Sequence, residues 1–248
     1  DRTMPEEINR IVTDSISDLL FVTEQSGIDN LTNEGVNSDK IHLVGNVMID
    51  TLLANREKSQ GSAILGRLHL EKKKYAVVTL HRPGNVDNPG SFEKILAAFE
   101  IMQKEIKLVF PIHPRTRNNL EGTYLHDYVK KMQNLILLEP VGYLDFLKLM
   151  SHAALVITDS GGIQEETTIL GIPCMTLRDN TERPVTIEEG TNRLVKSKTE
   201  NIISAYRELK AKDFNVSGCI PRYWDGKAAE RIVEIIIKSC AGYKSSKN

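Results

Sequence analysis

The sequence predicts an α/β protein: a Rossmann-like parallel sheet with helices on both faces. Two observations carry this. First, short aliphatic runs without polar alternation recur at 75–80, 108–112, 135–138, 153–157 and 174–177, the mark of strands buried on both faces. Second, stretches with apolar residues at helical spacing lie between them. Strands alternating with helices imply right-handed βαβ units on one parallel sheet. Such sheets bind ligands beyond the carboxyl ends of their strands.

Each element follows from local pattern. Thr3-Met4-Pro5-Glu6 reads as a capping box, and Ile8, Ile11, Val12, Ile16 and Leu19 follow at helical spacing. Glu6 also stands four residues before Arg10, the spacing of a helical ion pair. A strand is expected at 20–22, a polar helix at 26–33, a strand at 41–44 and a helix at 48–56. This train opens with no strand before its first helix, so a larger N-terminal part is expected upstream. Residues 57–66 are polar and glycine-containing and are expected to form a hinge. After the strand at 75–80, Phe92, Ile95, Leu96, Phe99 and Ile106 form a helical stripe. Further helices are expected at 125–132, at 143–150 with Leu144, Leu147 and Met150 inward, and from a Thr199 cap through Leu209. The last helix, 225–239, is expected to bury Ala228, Ile232, Ile235 and Ile236, and 244–248 to fray.

Composition narrows the function. The chain has 248 residues, 40% of them apolar, and a formal net charge of -1 with no basic or acidic block, which argues against a nucleic-acid or membrane surface. Three cysteines without metal-like spacing read as reduced thiols in the cytoplasm. The six histidines show no helical pair at ligand spacing, so neither metal nor another cofactor is expected.

The polar residues at strand ends are the main functional signal. His81-Arg82 follows one strand, His113-Pro114-Arg115 the next, Asp159-Ser160-Gly161-Gly162 the third, and Arg178 to Arg183 the fourth. In a parallel sheet these loops share one rim. Ser160, Gly161 and Gly162 stand where a buried strand turns into a helix. The helix's first N–H groups lack internal partners and its dipole favours an anion, which makes a phosphate cradle. Glycine there permits positive φ and a close approach to a ligand. The plainer alternative is a tight turn with Asp159 or Ser160 as N-cap. Arg82, Arg178 and Arg183 suit a diphosphate, and each taken alone also suits a solvated loop. For His81 and His113 the corresponding alternative is a ring bonded to a backbone carbonyl.

The ordered set of motifs resembles the non-hydrolysing UDP-N-acetylglucosamine 2-epimerases. It comprises residues 1–10, Glu34-Gly35-Val36, Val44-Gly45-Asn46 with Asp50, and Val78-Thr79-Leu80-His81-Arg82 with Asn85. It continues through Pro111-Ile112-His113, Tyr143-Leu144 with Phe146, and residues 158–166. Residues 178–184, Glu189-Gly190-Thr191 and Asp225-Gly226-Lys227-Ala228 complete it. The resemblance implies the two-domain GT-B fold: a remnant of one Rossmann-like domain at 1–57, a UDP-binding domain at 58–222, and a C-terminal helix at 223–248 packing back toward the first. It implies interconversion of UDP-GlcNAc and UDP-ManNAc by elimination and re-addition of UDP, and allows a homodimer. His81 and Glu6 take catalytic positions. Ser160, Gly161 and Gly162 match phosphate contacts, Glu166 a ribose contact and Phe146 the uracil neighbour. Arg82, His113 and Arg183 match cleft positions.

One departure stands beside His81. Gly84 occupies a position where the family usually has glutamate. The expected missing half would also carry further acid/base groups, so this chain alone is expected to bind UDP without turnover. The alternatives are a non-catalytic UDP-sugar sensor and a GT-B glycosyltransferase donor domain.

Overall fold

The computed structural model describes residues 5–245, with side chains described to 241. It forms two compact units, 1–51 with 221–248, and 52–220.

The first unit opens with α1 (Pro5–Ile16), β1 (Leu20–Val22), α2 (Gln25–Asn33) and β2 (Ile41–Leu43), and α3 (Val47–Ser59) begins in it. β1 and β2 pair in parallel, Leu20 opposite Ile41, over a small core of Leu20, Val22 and Leu31. Thr3, the expected cap, lies outside the described residues. The apolar stripe of α1 exists but is not buried, with Ile8, Val12 and Ile16 at 57, 57 and 79% exposure. Arg10 pairs with Glu7 at 2.7 Å, and with Asp14 and Glu34 at 2.6 Å each, rather than with Glu6. Its guanidinium turns to the flank where those three carboxylates converge.

The second unit carries α4 (Ile64–Arg67), β3 (Tyr75–Thr79), α5 (Pro83–Val86), α6 (Pro89–Met102) and β4 (Lys107–Pro111). Next come α7 (Pro114–Glu121), α8 (Leu125–Lys130), β5 (Leu135–Leu138), α9 (Tyr143–His152) and β6 (Leu155–Thr158). It ends with α10 (Gly161–Leu170), β7 (Cys174–Leu177), α11 (Val185–Glu188), β8 (Asn192–Val195) and α12 (Thr199–Ala211). The last helix, α13 (Ala228–Ser245), belongs to the first unit.

All six strands of the larger sheet are parallel, in the order β5-β4-β3-β6-β7-β8. The central strands β3, β4, β6 and β7 are buried on both faces. Ala76, Val78, Leu108, Phe110, Leu155 and Ile157 pack under α6, α8 and α12. Tyr75, Val77, Val109 and Val156 face Leu147, Leu149 and Met150 of α9, with Ile64 of α4 and Leu52 of α3. This double burial is why the strand runs lack alternation. From β3 the chain winds outward to β4 and β5. It then returns to place β6 at the other side of β3 and winds outward again. A topological switch point therefore lies between the carboxyl ends of β3 and β6.

Several expectations change. Residues 57–66 hold the last turn of α3 and the start of α4, and Lys148 Nζ fixes the intervening turn through Gln60 O at 3.2 Å and Gln60 Oε1 at 2.7 Å. Ile106 lies past the end of α6 yet stays in the core. Leu144 is 39% exposed, because the buried face of α9 runs through Leu147, Leu149 and Met150. Lys198, not Thr199, is the N-cap of α12, while Thr199 Oγ1 donates to Lys94 O at 2.8 Å and ties α12 to the middle of α6. Of the expected α13 residues only Ala228 is fully buried, and Ile236 is 41% exposed. α13 runs on through Ser245, and the rest of the expected tail lies outside the described residues. The short helices α4, α5, α7 and α11 and the strand β8 were not legible from apolar period. α5 and α7 start on proline, and β8 carries Asn192 and Arg193 on a sheet edge.

Candidate functional site

The switch point gathers the loops after β3, β4, β6 and β7. Asp159, the first residue past β6, is fully buried. Its Oδ2 accepts the backbone N–H of Arg82 at 3.0 Å and Asn85 Nδ2 at 3.1 Å. The backbone N–H of His81 lies 3.2 Å from both oxygens, and His81 Nδ1 lies 3.1 Å from Oδ1. Burial alone would push this carboxyl up, but the bonds from His81, Arg82 and Asn85 hold it below its usual range. Asn85 Nδ2 also donates to Leu177 O at the end of β7, and Ser197 Oγ beyond β8 donates to Asn85 Oδ1 at 2.7 Å. One buried cluster thus joins four strand ends.

His81 is half exposed, and its hydrogen bond to Asp159 raises its pKa against the opposing effects of burial and the Arg82 charge. The His113 ring lies 6.3 Å from it, centroid to centroid. His113 Nδ1 accepts the Arg115 N–H at 3.2 Å, so the ring caps α7 instead of bonding a carbonyl. Thr79, His81, His113, Pro140, Val141 and Phe146 line a cavity of about 210 Å³. Phe146 stands in the first turns of α9, its N–H bonded to Gly142 O at 2.9 Å.

Ser160 is the N-cap of α10 and makes no side-chain cap bond. Its N–H donates to Thr158 Oγ1 at 3.0 Å, and Asp159 turns toward His81 instead of capping. Neither Gly161 nor Gly162 takes positive φ. Gly161 is instead closely approached: a Cβ there would lie 2.6 Å from Glu182 Oε1, the movable end of a side chain. The Glu182 carboxylate therefore rests over the first residue of α10. It bonds Arg178 Nη1 at 2.5 Å, and Arg82 Nη2 at 3.5 Å. Arg82 Nε meanwhile donates to Asp159 O at 2.8 Å.

Behind this rim two adjacent carboxylates are buried. Glu165 Oε1 lies 2.5 Å from Arg183 Nε, a charge contact without hydrogen-bond alignment. Glu166 accepts Tyr143 OH at 3.2 Å, and burial, with the neighbouring Glu165 charge, pushes it up to about 7. Gln164 is fully buried and accepts Thr181 Oγ1 at 2.7 Å and Asn192 Nδ2 at 3.1 Å, which pins the 181–183 loop to α10.

The second unit thus brings together His81, Arg82, His113, Phe146, Ser160, Gly161, Gly162, Glu166 and Arg183 at one end of one sheet. Glu6 is exposed on α1, in the other unit. Asp159, Glu182 and Gln164 went unassigned by sequence reasoning. The signal for Asp159 was present: a carboxylate directly after a fully apolar strand must find donors, and the neighbouring loop supplied them.

The profile describing UDP-N-acetylglucosamine 2-epimerase matches residues 1–237. The chain belongs to this family. A UDP-N-acetylglucosamine 2-epimerase of Methanocaldococcus jannaschii is 43% identical over 241 residues, covering 95% of this chain and 65% of that relative. The crystal structure of the M. jannaschii enzyme in complex with UDP-GlcNAc and UDP superposes with a TM-score of 0.85 at 42% identity, covering 96% of this chain and 66% of that one. A UDP-2,3-diacetamido-2,3-dideoxy-D-glucuronate 2-epimerase of Pseudomonas aeruginosa is 37% identical, covering 95% of this chain and 64% of its own length. The chain thus spans just under two thirds of the relatives it matches. The six-stranded unit is a Rossmann-like half of the epimerase family's GT-B architecture. No described helix is long and apolar enough to cross a membrane.

Proposed function

We propose that the protein is a cytoplasmic UDP-N-acetylglucosamine 2-epimerase, interconverting UDP-GlcNAc and UDP-ManNAc, and that residues 58–222 hold the UDP. The observation that carries this reading is the convergence, at the switch point, of an α10 N-terminus lacking a side-chain cap, Arg82 and Arg178, and a histidine backed by a buried carboxylate. That set suits a reaction whose difficulty lies in the departure of a diphosphate. When the bond from the sugar's C1 to the diphosphate oxygen breaks, the electron pair stays on that oxygen. N–H groups and guanidinium groups at that rim would stabilise the charge once Glu182 yields its place. On this reading Glu166 takes a ribose hydroxyl, Phe146 the base, and His81 proton transfer beside the leaving group. Glu6 is carried as a second catalytic group by motif alone.

The test is proton exchange. The protein at the full length of its relatives is incubated with UDP-GlcNAc in D2O. Deuterium at C2 and appearance of UDP-ManNAc are expected, and His81→Ala is expected to lower the rate by at least about 100-fold. UDP bound with neither label nor epimer would favour a non-catalytic UDP-sugar sensor, the reading that Gly84 supports. Gly84 is exposed, with nothing within 4 Å of where a Cβ would stand, so packing does not exclude the family's glutamate. The Pseudomonas relative, named for a different sugar, makes UDP-2,3-diacetamido-2,3-dideoxy-D-glucuronate the second substrate to assay.

A further inference from the structure

We propose that Asp159 is a positioning residue that keeps the proton of neutral His81 on Nδ1, leaving Nε2 as the nitrogen that exchanges protons with a bound nucleotide sugar. The inference deepens the epimerase reading and rests on it for the identity of the ligand.

An ionised carboxylate only accepts hydrogen bonds. Asp159 is fully buried and faces the Arg82 N–H and Asn85 Nδ2 at 3.0 and 3.1 Å, with the His81 N–H at 3.2 Å. These donors keep it ionised against the cost of burial, and its direction of titration agrees. His81 Nδ1, 3.1 Å from Oδ1, must then be the donor. The backbone of His81 is held by the same carboxylate, so the ring and its main chain are fixed together. Arg82, held by its own N–H on Oδ2 and by Nε on the Asp159 carbonyl, cannot replace the imidazole at Oδ1. The charged and titratable groups around the ring are Asp159, Arg82 and His113, with Glu182 reached through Arg82. Among the described residues only Asp159 bonds the imidazole itself, and it favours the charged ring, whereas the Arg82 charge opposes it.

The proton balance is simple. Nε2 takes one proton and the ring becomes imidazolium, while Nδ1–H stays on Asp159. Nε2 then gives the proton back, and the starting tautomer returns. Asp159 neither gains nor loses a proton. An imidazole with its proton on Nε2 could not act as the base without first rotating or exchanging protons with water.

The experiment is ¹⁵N NMR of the histidine side chains in the intact chain, assigned with His81→Gln. The neutral His81 ring is expected to be the Nδ1–H tautomer, and in Asp159→Asn its proton affinity is expected to fall about tenfold or more. In turnover assays the acid limb of the pH profile for kcat/KM should move the same way. A wild-type ring protonated on Nε2 would overturn the proposal, as would an Asp159→Asn variant with unchanged His81 titration. Should Asp159→Asn not fold, the wild-type tautomer decides alone. The NMR readout needs no substrate, so it is independent of the deuterium experiment that tests the epimerase reading.

Discussion

If UDP binds as proposed, Glu182 holds the place its phosphate would take. Its carboxylate covers Gly161 and bonds Arg178 and Arg82, the cations a diphosphate would use. Because it is partly exposed and screened, its competition is worth about 1 kcal/mol. Glu182→Gln is therefore expected to tighten UDP about fivefold in calorimetric titration. Weaker binding would mean that Glu182 serves instead to aim the arginines. Glu166 makes a second residue-scale prediction. Its folded pKa, about 7, lies above the ordinary 4.5. The folded state thus holds the proton more tightly, so this stabilisation is complete below about pH 4.5 and is lost as pH rises through 7. Relative to Glu166→Gln, the wild-type chain should lose on the order of 3 kcal/mol across that window, read from urea midpoints at each pH.

At the scale of the element, α10 joins the site to the core. Its outer end offers N–H groups to a ligand, and Gln164 on its buried side holds the 181–183 loop. These two roles separate by mutation. Gly161→Ala places a methyl group against the flexible end of Glu182, which can give way, so the fold should persist. The methyl would remain in the anion's path, and UDP affinity should fall at least about tenfold, or 1.4 kcal/mol. Gln164→Leu does the reverse. It strands the Thr181 and Asn192 groups and should cost about 2 kcal/mol in denaturant melts. Where α10 would begin was legible in the sequence; it stops at Gly171, which takes φ of 66° at the C-cap. That Gly161 serves close approach and not positive φ was not, because the reason is a side chain 21 residues away.

At the scale of the whole molecule, several family motifs build structure and not chemistry. In the first unit, Asp50 accepts the N–H groups of Ala228 and Ala229 at 3.1 and 2.7 Å and caps α13. Trp224 Nε1 donates to Thr23 O at 2.9 Å. Gly45 has φ of 89°, and a Cβ there would stand 2.0 Å from Tyr223 O. Gly45→Ala should therefore cost more than about 3 kcal/mol, whereas Gly84→Ala, in open space, should stay within about 0.5 kcal/mol. Matched melts of the two variants check this. The motifs Val44-Gly45-Asn46 with Asp50 and Asp225 to Ala228 were read from sequence as family marks, and their mutual contacts explain why they occur as a set.

The sequence by itself determined five of the larger sheet's strands, β3 to β7. Fully apolar strand runs can be stable only when covered on both faces, and loops after parallel strands must share an edge. His81, Ser160 and Arg183 were therefore legible as neighbours at element resolution. Only the tertiary structure decided how their charges are arranged. Arg10 chose Glu7, Asp14 and Glu34 over Glu6, and Asp159 turned from its own helix to His81. Glu182 came to lie on Gly161. Periodicity reports which face of an element is buried. A hydrogen bond between loops depends on where separate elements place their ends to within an ångström, and no local pattern encodes that.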